Sequence, residues 1–205
     1  MKIIKITSNH HLKQNSYLVL NKSGAILIDS GVSLSEIEYE LEKEGIAWDD
    51  LKIDAILLTH THFDHISHLI EISNQFTAPV YVKSGCESFI SDPNYNLSFM
   101  SDKLLTEKPH TVIPINSEND IIISEIIVKP IFTPGHALCA MCYIIENNLF
   151  SGDTLFYKSY GRTDLIGGNE YEVKKSIQKL ESIDYTICYP GHGIPFEKKK
   201  IKSIK

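Results

Sequence analysis

The feature that most constrains this chain is a run of metal-type side chains in residues 60–65, where the sequence is HTHFDH. The run directly follows an apolar segment that is typical of a buried strand. Alternate side chains of an extended chain face the same way, so we expect His60, His62 and Asp64 to project together. His65 is expected to turn inward where a helix begins. Imidazole and carboxylate groups suit zinc, iron or manganese, and the run therefore predicts a metal site rather than a histidine-rich surface loop.

Three more side chains of the same kind lie at the ends of predicted strands, each beside a glycine. They are His136, Asp153 and His192. Glycine permits a sharp turn and a close approach of the backbone, and strand ends bring side chains from distant parts of a chain to one place. Together with residues 60–65 they make five histidines and two aspartates, which is enough for two adjacent metal ions. The intervening side chains, Thr61 and Phe63, are expected to point back into the fold.

Apolar runs separated by turn residues predict a succession of strands and helices. The predicted strands are residues 3–6, 16–20, 25–29, 54–58, 79–83, 121–123, 126–132, 140–145, 148–151 and 185–189. Helices are predicted after a capping box at residues 33–36, around residues 65–76, and from Asn169. Residues 91–111 have weak periodicity and are expected to form an irregular excursion or a lid with short helices. Strand clusters separated by helices indicate an α/β sandwich, sheet on sheet with helices outside.

Length and charge exclude several kinds of protein and partner. The 205 residues predict one domain, and the formal net charge of −6 argues against a nucleic-acid surface, which would be basic. The longest apolar run, residues 137–145, is too short for a membrane span, which needs about 20 residues. The N-terminus lacks the apolar stretch of a signal peptide, so we expect a cytoplasmic protein. The basic end is expected to be frayed and solvated; its lysines are Lys198, Lys199, Lys200, Lys202 and Lys205.

Two other groups of reactive side chains are expected to be structural. Cys139 and Cys142 have the C-x-x-C spacing of some redox and zinc sites, but no second such pair exists, so we expect core thiols. His68 lies one helical turn after His65. It is expected at the surface or at a helix end, although it could reach the mouth of the site.

The order of the candidate ligands resembles that of the metallo-β-lactamase fold superfamily. The matching motifs are His60-Thr61-His62-Phe63-Asp64-His65, then His136, Asp153 and His192, and they extend over most of the chain. The resemblance implies an αββα sandwich with two mixed sheets and helices outside. It implies that His60, His62 and His136 hold one metal. It also implies that Asp64, His65 and His192 hold a second metal, and that Asp153 bridges the two.

Residues 152–156 (GDTLF) and 160–165 (YGRTDL) look like those of the glyoxalase II, or hydroxyacylglutathione hydrolase, branch and its single-domain relatives. Only thirteen residues follow His192. We therefore expect residues 1–205 to form one metallo-hydrolase domain without the C-terminal helical domain that helps two-domain enzymes to bind glutathione. The β-lactamases of the superfamily lack a bridging aspartate, which argues against antibiotic hydrolysis. Two positions depart from the family pattern: Ile66-Ser67-His68 replaces a residue and two glycines, and Ile194 replaces a frequent substrate-contacting tyrosine.

The resemblance implies cleavage of a thioester such as S-lactoylglutathione by a hydroxide that bridges two divalent ions, with zinc expected and iron or manganese as alternatives. Bound metal lowers the pKa of water to about 7, so no serine or cysteine nucleophile is required. The charges of two divalent ions, Asp64, Asp153 and a hydroxide sum to about +1, which favours a small anionic thioester or ester. Asp64 is expected to orient the hydroxide. Arg162 is the candidate contact for a substrate carboxylate, unless it pairs with Asp164 or Asp153.

Other functions of the same fold stay open at this point. A persulfide dioxygenase would hold a single iron through His60, His136 and Asp153, and it shares the stretch at residues 161–164. A lactonase, another ester hydrolase or a phosphodiesterase would use the two-metal site, whereas the acidic charge disfavours a nuclease. A metal-bearing binding module is the alternative that is not an enzyme.

Overall fold

Within residues 1–200, which the computed structural model describes, twelve strands form two six-stranded sheets. The first sheet contains, in spatial and sequence order, β1 (Lys2–Thr7), β2 (Asn15–Leu20), β3 (Ala25–Ile28), β4 (Ile53–Leu57), β5 (Val80–Lys83) and β6 (Val112–Ile115). Strands β1 to β3 are antiparallel neighbours, whereas β3 to β6 run parallel to one another. Parallel neighbours need crossover connections. Two of these carry helices: α1 (Leu34–Lys43), and then α2 (Phe63–Ile66) with α3 (Leu69–Phe76).

The second sheet is built from the C-terminal half of the chain. Its strands are β7 (Ile121–Ile123), β8 (Ile126–Phe132), β9 (Met141–Ile145), β10 (Asn148–Gly152), β11 (Ile187–Pro190) and β12 (Phe196–Glu197). Strands that are neighbours in this sheet are also consecutive strands in the sequence. Only β10 and β11 pair in parallel, and α4 (Glu170–Glu181) makes the crossover between them. Both sheets are therefore mixed, as the sequence predicts.

Alternate side chains of the central strands pack in opposite directions, which explains why these strands are continuous apolar runs. Val19 of β2 and Ile26 of β3 lie in the cluster between the two sheets, with Tyr143 of β9. Leu18 and Leu27, their neighbours along the strands, lie in the outer cluster beneath the helices. Burying each such side chain on folding contributes about 1.5–3 kcal/mol.

Helices cover the outer faces of both sheets. Ile37 of α1 and Ile72 of α3 belong to the cluster on the outside of the first sheet. Leu180 of α4 packs with Ile131 and Leu149 on the outside of the second sheet. The layers are thus helix, sheet, sheet and helix, and the predicted α/β sandwich is confirmed.

The bounds of α1 follow from its predicted caps. The side chain of Ser33 accepts a hydrogen bond from the backbone N–H of Glu36, and the Glu36 side chain accepts one from the backbone N–H of Ser33. At the other end, Gly45 has a φ of +69°. The backbone N–H groups of Gly45 and Ile46 donate to the carbonyls of Glu42 and Leu41. This pattern terminates a helix at a residue that needs a left-handed conformation.

Several elements differ from the sequence prediction, including strand β12, which was not predicted. The helix expected around residues 65–76 is two helices, and the first begins at Phe63. Strand β6 was not predicted, because Pro114 interrupts a short run; as an edge strand, β6 tolerates the proline. Residues 91–111 are irregular as expected, apart from the end of a 3₁₀ turn at Glu87–Ser91 and a second one at Ser98–Met100.

Lys198–Lys200 form a short 3₁₀ turn. The predicted solvated residues Lys202 and Lys205 lie outside the described residues. No helix in residues 1–200 combines the length and apolar character that a membrane span requires.

Candidate metal centre

The seven candidate ligands all lie just beyond the ends of strands, on one side of the sandwich. His60 and His62 follow β4, and Asp64 and His65 lie on the short helix α2. The other three follow β8, β10 and β11; they are His136, Asp153 and His192. Four separate segments of backbone therefore converge at one place, as the strand-end pattern predicts. That these groups bind metal stays a prediction.

A first group consists of three buried imidazoles. The ligand atoms of His60, His62 and His136 lie within 4.8 Å of one another. Nδ1 of His62 and Nε2 of His136 are 3.0 Å apart. Three histidines grouped this closely can supply three of the four ligands of a zinc site. This is the set that the resemblance assigned to one metal.

A second group mixes one carboxylate with two imidazoles. The ligand atoms of Asp64, His65 and His192 also lie within 4.8 Å of one another. Nε2 of His192 is 3.2 Å from Oδ2 of Asp64, and Nε2 of His65 is 3.9 Å from the same oxygen. This is the set that the resemblance assigned to the second metal.

Asp153 lies between the two groups. Its Oδ1 is 3.3 Å from Nε2 of His65. Its Oδ2 is 3.6 Å from Nε2 of His136 and 3.5 Å from Nε2 of His192. One carboxylate thus faces ligands of both groups, which is the placement that a bridging aspartate requires.

The outward-facing nitrogens of three histidines are fixed by hydrogen bonds. Nδ1 of His136 donates to the carbonyl of Arg162 over 2.8 Å, and Nδ1 of His192 donates to the carbonyl of Leu12 over 3.0 Å. Nδ1 of His65 lies 2.8 Å from Oδ2 of Asp29. Each bond sets the tautomer, so that the lone pair of Nε2 faces the centre. Such supporting bonds orient metal-ligating histidines and raise their basicity.

Asp29 is the supporting residue that the sequence analysis missed. Its carboxylate accepts hydrogen bonds from the backbone N–H and the hydroxyl of Thr59, both at 2.7 Å, as well as from His65. The Thr59 hydroxyl lies 3.1 Å from Nδ1 of His60, where it can accept a hydrogen bond. Asp29 follows β3, has a φ of +58° and is 1% exposed. One feature of the sequence could have indicated this supporting role: Asp29 directly follows an apolar strand.

Several buried polar atoms of the centre have no hydrogen-bond partner within the described part of the chain. They are Nε2 of His60, His62 and His65 and Oδ1 of Asp153. An unpaired buried polar atom costs about 1–3 kcal/mol, so such atoms are rare and need a cause. Here they come from residues of both ligand groups. A donor set of buried imidazoles and carboxylates with unpaired atoms fits divalent metal ions.

The groups of the centre strongly perturb one another's pKa values. Burial is the main cause that lowers the pKa of His60 well below its ordinary value and that of His62 to about 3, and neighbouring histidines contribute to both shifts. Burial alone would lower the pKa of His65, but the carboxylates of Asp153 and Asp29 raise it well above the ordinary value. Burial would raise the pKa of Asp153, but His65 holds it well below the usual range. The carboxylates are therefore charged at neutral pH, as cation binding requires.

Glycines allow the strand ends to approach the ligands closely. Gly152 has a φ of +48°, and a Cβ there would collide with the side chain of Thr59. A Cβ on Gly191 would collide with Oδ1 of Asp153 and would lie 2.6 Å from Cε1 of His65. The predicted role of glycine beside these ligands is confirmed.

The centre opens into a cleft of about 480 Å³. Thr61 is buried against Cys139, as expected, but Phe63 is half-buried and lines this cleft. The prediction that Phe63 points back into the fold is wrong, because the extended conformation ends at His62, and Phe63 already belongs to α2. Strand alternation therefore does not apply to Phe63, and Asp64 projects from a helix.

Arg162 lies at the margin of the cleft and pairs with Asp164. Its Nε and Nη2 donate to the two carboxylate oxygens of Asp164 over 2.7 and 2.6 Å. Both side chains are more than half exposed, and exposed ion pairs contribute little to stability. Of the two expectations for Arg162, the structure shows pairing with Asp164, while its backbone carbonyl supports His136.

The remaining reactive side chains are structural. Cys139 and Cys142 are buried free thiols, and their hydroxyl partners are Thr61 and Thr133. His68 occupies the position before α3, and its Nδ1 lies 3.0 Å from a Glu71 carboxylate oxygen. Both expectations are confirmed.

Comparisons with known proteins support the architecture of the centre. A family model described as the metallo-beta-lactamase superfamily matches residues 11–192, from the cleft to the last candidate ligand. A protein of Methanocaldococcus jannaschii named as a probable metallo-hydrolase is 35% identical over 205 residues, covering 93% of this chain and 92% of its own.

Two crystal structures with the same fold cover nearly all of the chain. The BLEG-1 B3 metallo-beta-lactamase has a TM-score of 0.84 and 29% identity, covering 97% of this chain and 95% of its own. A structure described as TTHA1623 in a di-iron-bound form has a TM-score of 0.76 and 27% identity, covering 95% of each chain. The similarity thus extends beyond the ligands to both sheets.

Proposed function

The chain belongs to the metallo-beta-lactamase superfamily, and from this membership we propose that it is a binuclear metal-dependent hydrolase of small anionic thioesters or esters. S-lactoylglutathione is the model substrate. The observation that carries the proposal is the position of Asp153, whose two carboxylate oxygens face ligands of both histidine groups. An enzyme with a single metal ion would need the ligands of only one of the two histidine groups.

We assign the ligands as the resemblance implies. His60, His62 and His136 would hold one ion, Asp64, His65 and His192 the second, and Asp153 would bridge them. Mixed imidazole and carboxylate sites suit zinc, iron and manganese. Zinc is our first choice because a set of three histidines is a common ligand set of zinc enzymes. The di-iron form of a relative with 27% identity supports iron as the alternative.

When bound, the two metals would supply a nucleophilic hydroxide at neutral pH and a Lewis acid for the substrate carbonyl. The chain's own residues would orient the reaction. Asp64 would accept a hydrogen bond from the nucleophile, since its carboxylate is charged and faces the centre. Asp29 and the carbonyls behind His136 and His192 would keep the imidazoles aimed at one place. No serine or cysteine side chain takes part.

The cleft would select an anionic substrate through Arg162. Its guanidinium is held only by an exposed pair with Asp164, and it can exchange that partner for a substrate carboxylate. The two parallel N–H donors of the guanidinium can pair with the Asp164 carboxylate or with a substrate carboxylate. Asp164 would then position the guanidinium in the free enzyme.

Hydrolysis of a β-lactam is the second candidate, because a B3 metallo-beta-lactamase is 29% identical over nearly the whole chain. Asp153 weighs against it, since the resemblance places no bridging aspartate in the β-lactamases. The two candidates share metal ligands and differ in the substrate that fits the cleft.

The test is a substrate panel with metal-loaded protein under anaerobic conditions. We expect zinc- or manganese-loaded protein to release thiol from S-lactoylglutathione with kcat/KM of about 10⁴ M⁻¹s⁻¹ or more. Nitrocefin should be cleaved far more slowly. Preference for nitrocefin would establish the β-lactam alternative. Oxygen consumption with glutathione persulfide by the iron-loaded protein, without thioester cleavage, would overturn hydrolysis in favour of dioxygenation.

A further inference from the structure

A second, larger cavity of about 680 Å³ adjoins the metal cleft. Four residues line both spaces: His10, Phe63, Ser101 and Asp102. Arg162 lines only the cleft, whereas the larger cavity extends from the four shared residues along α3. A substrate held at the metals therefore has two spaces available, one towards Arg162 and one past Phe63.

Six of the sixteen residues that line the larger cavity are aliphatic. One wall comes from α2 and α3, where Ile66 and Leu69 are buried and Ile70 is half-buried. The opposite wall contains the half-buried Leu105 and the exposed Leu104. Cavities of about 300–1,000 Å³ with such linings bind small organic groups. The space is large enough for a chain of several methylene groups.

The wall formed by residues 101–107 is held in place although it has no helix or strand. Nδ2 of Asn96, which is fully buried, donates to the carbonyls of Ile90 and Leu105 over 2.9 and 2.8 Å. The hydroxyl of Ser98 accepts from the backbone N–H of Leu105. The carbonyl of Asn96 accepts from the backbone N–H of Phe63 over 2.7 Å. Asn96 thus joins this wall to the residue between two candidate metal ligands.

The charged groups on the rim are mostly acidic. Glu71, Asp102 and Glu107 line the cavity, and Lys103 is the one lysine or arginine among the described residues that line it; two histidines, His10 and His68, also line it. An anionic chain end would be repelled there, whereas a neutral one would not. The cavity therefore suits a group that is both apolar and uncharged.

We propose that this cavity binds the uncharged, medium-length aliphatic acyl chain of the substrate, while the anionic leaving group lies towards Arg162. The inference rests on the proposed function and specifies its substrate class. The carbonyl carbon would be at the metals, and the chain would pass Phe63 to reach the aliphatic walls.

The first test is a chain-length series on the unmodified, zinc-loaded protein. S-acylglutathiones from acetyl to decanoyl keep the leaving group constant. A buried methylene contributes about 0.8 kcal/mol, so kcat/KM should rise about threefold to fourfold per added methylene until the cavity is filled. A terminal carboxylate on the octanoyl chain should lower kcat/KM by about tenfold. Rates that do not depend on chain length, or a preference for the carboxylated chain, would overturn the proposal.

A pair of matched variants locates the effect. Leu104→Asp places a charge in the wall, and Ile122→Asp makes the same change at another exposed aliphatic residue, which lines neither space. We expect Leu104→Asp to lower kcat/KM more for the octanoyl than for the acetyl substrate, and so to reduce the ratio of the two about tenfold. Ile122→Asp should change neither value. Equal effects of the two variants would contradict the assignment of this cavity.

A binding measurement separates this proposal from the proposed function. Octanoate and acetate, the carboxylate products of such a hydrolysis, are titrated calorimetrically into zinc-loaded protein. We expect octanoate to bind at least tenfold more tightly, and Leu104→Asp to remove the difference. This result would support the cavity even if no thioester were cleaved. Thioester cleavage with equal binding of the two acids would keep the hydrolase and overturn the cavity.

Discussion

Asp29 supports both groups of candidate ligands, His65 directly and His60 through Thr59. Its carboxylate accepts from Thr59 and from Nδ1 of His65, and Thr59 in turn lies against His60. Asp29 itself does not line the cleft. Its contribution is therefore to aim two imidazoles, one in each ligand group.

We expect Asp29→Asn to lower zinc affinity by about 10–100-fold, because an amide presents N–H donors where His65 and Thr59 also donate. Zinc dissociation constants from chelator competition measure this, and circular dichroism checks the fold. Asp54→Asn is the matched control, since Asp54 bonds to Ser124 away from the centre. Equal zinc affinities for Asp29→Asn and the unmodified protein would show that the supporting bond has no such role.

Asp153 is the ligand on which the two-metal assignment depends. We expect Asp153→Ala to reduce bound metal from about two ions per chain to one or fewer and to remove activity with it, because both ligand groups lose a shared oxygen. Mass spectrometry of metals in dialysed protein measures the ratio. Full metal loading of the variant would refute the bridging role.

Arg162 acts on substrate rather than on metal in this account. We expect Arg162→Ala to raise KM for S-lactoylglutathione about tenfold, since a charged hydrogen bond contributes about 1.5–3 kcal/mol, with kcat and metal content little changed. The backbone carbonyl that supports His136 is retained in this variant. An unchanged KM would leave Arg162 as the exposed partner of Asp164 only.

At the scale of elements, the N-terminal cap of α1 tests whether neighbouring residues alone determine where a helix begins. We expect Ser33→Ala to lower the free energy of unfolding by about 1 kcal/mol, because the N–H of Glu36 loses its acceptor. Urea denaturation measures the change. Ser35→Ala, an exposed serine two residues further on, should stay within about 0.5 kcal/mol. A larger loss for Ser35→Ala would show that the capping box does not define the helix start.

Most elements could be predicted because their causes are local. The capping box of α1, the hairpin of β2 and β3, and the cap of α4 at Asn169 are each specified by a few neighbouring residues. The convergence of seven ligands could also be predicted, because each follows an apolar strand. Local patterns of this kind do not depend on the rest of the fold.

The elements that were missed depend on contacts between distant residues. Phe63 starts α2 where its N–H bonds to the carbonyl of Asn96, more than thirty residues away. Asp29 supports His65 across a similar separation. The larger cavity is lined mainly by residues 66–71 and 101–107, of which the second stretch has little periodicity. No local pattern in the sequence predicts such contacts.

At the scale of the molecule, metal binding should stabilise the fold. The ligands come from four backbone segments of both sheets, so the complete site exists only in the folded state. Zinc at a hundred times its Kd would add about 2.7 kcal/mol, or about 5–10 °C in Tm for a chain of this size. Thermal melts with zinc and with EDTA measure this. An equal Tm in both would contradict a site built from both sheets.

The most direct test of the central claim is a metal titration of activity. Protein stripped with a chelator is supplied with zinc in steps, and thiol release from S-lactoylglutathione and from its octanoyl analogue is followed without oxygen. We expect no activity without metal, and we expect the activity to rise until about two equivalents of zinc per chain have been added. Activity that survives chelation, or a fully loaded protein that cleaves neither thioester, would contradict it.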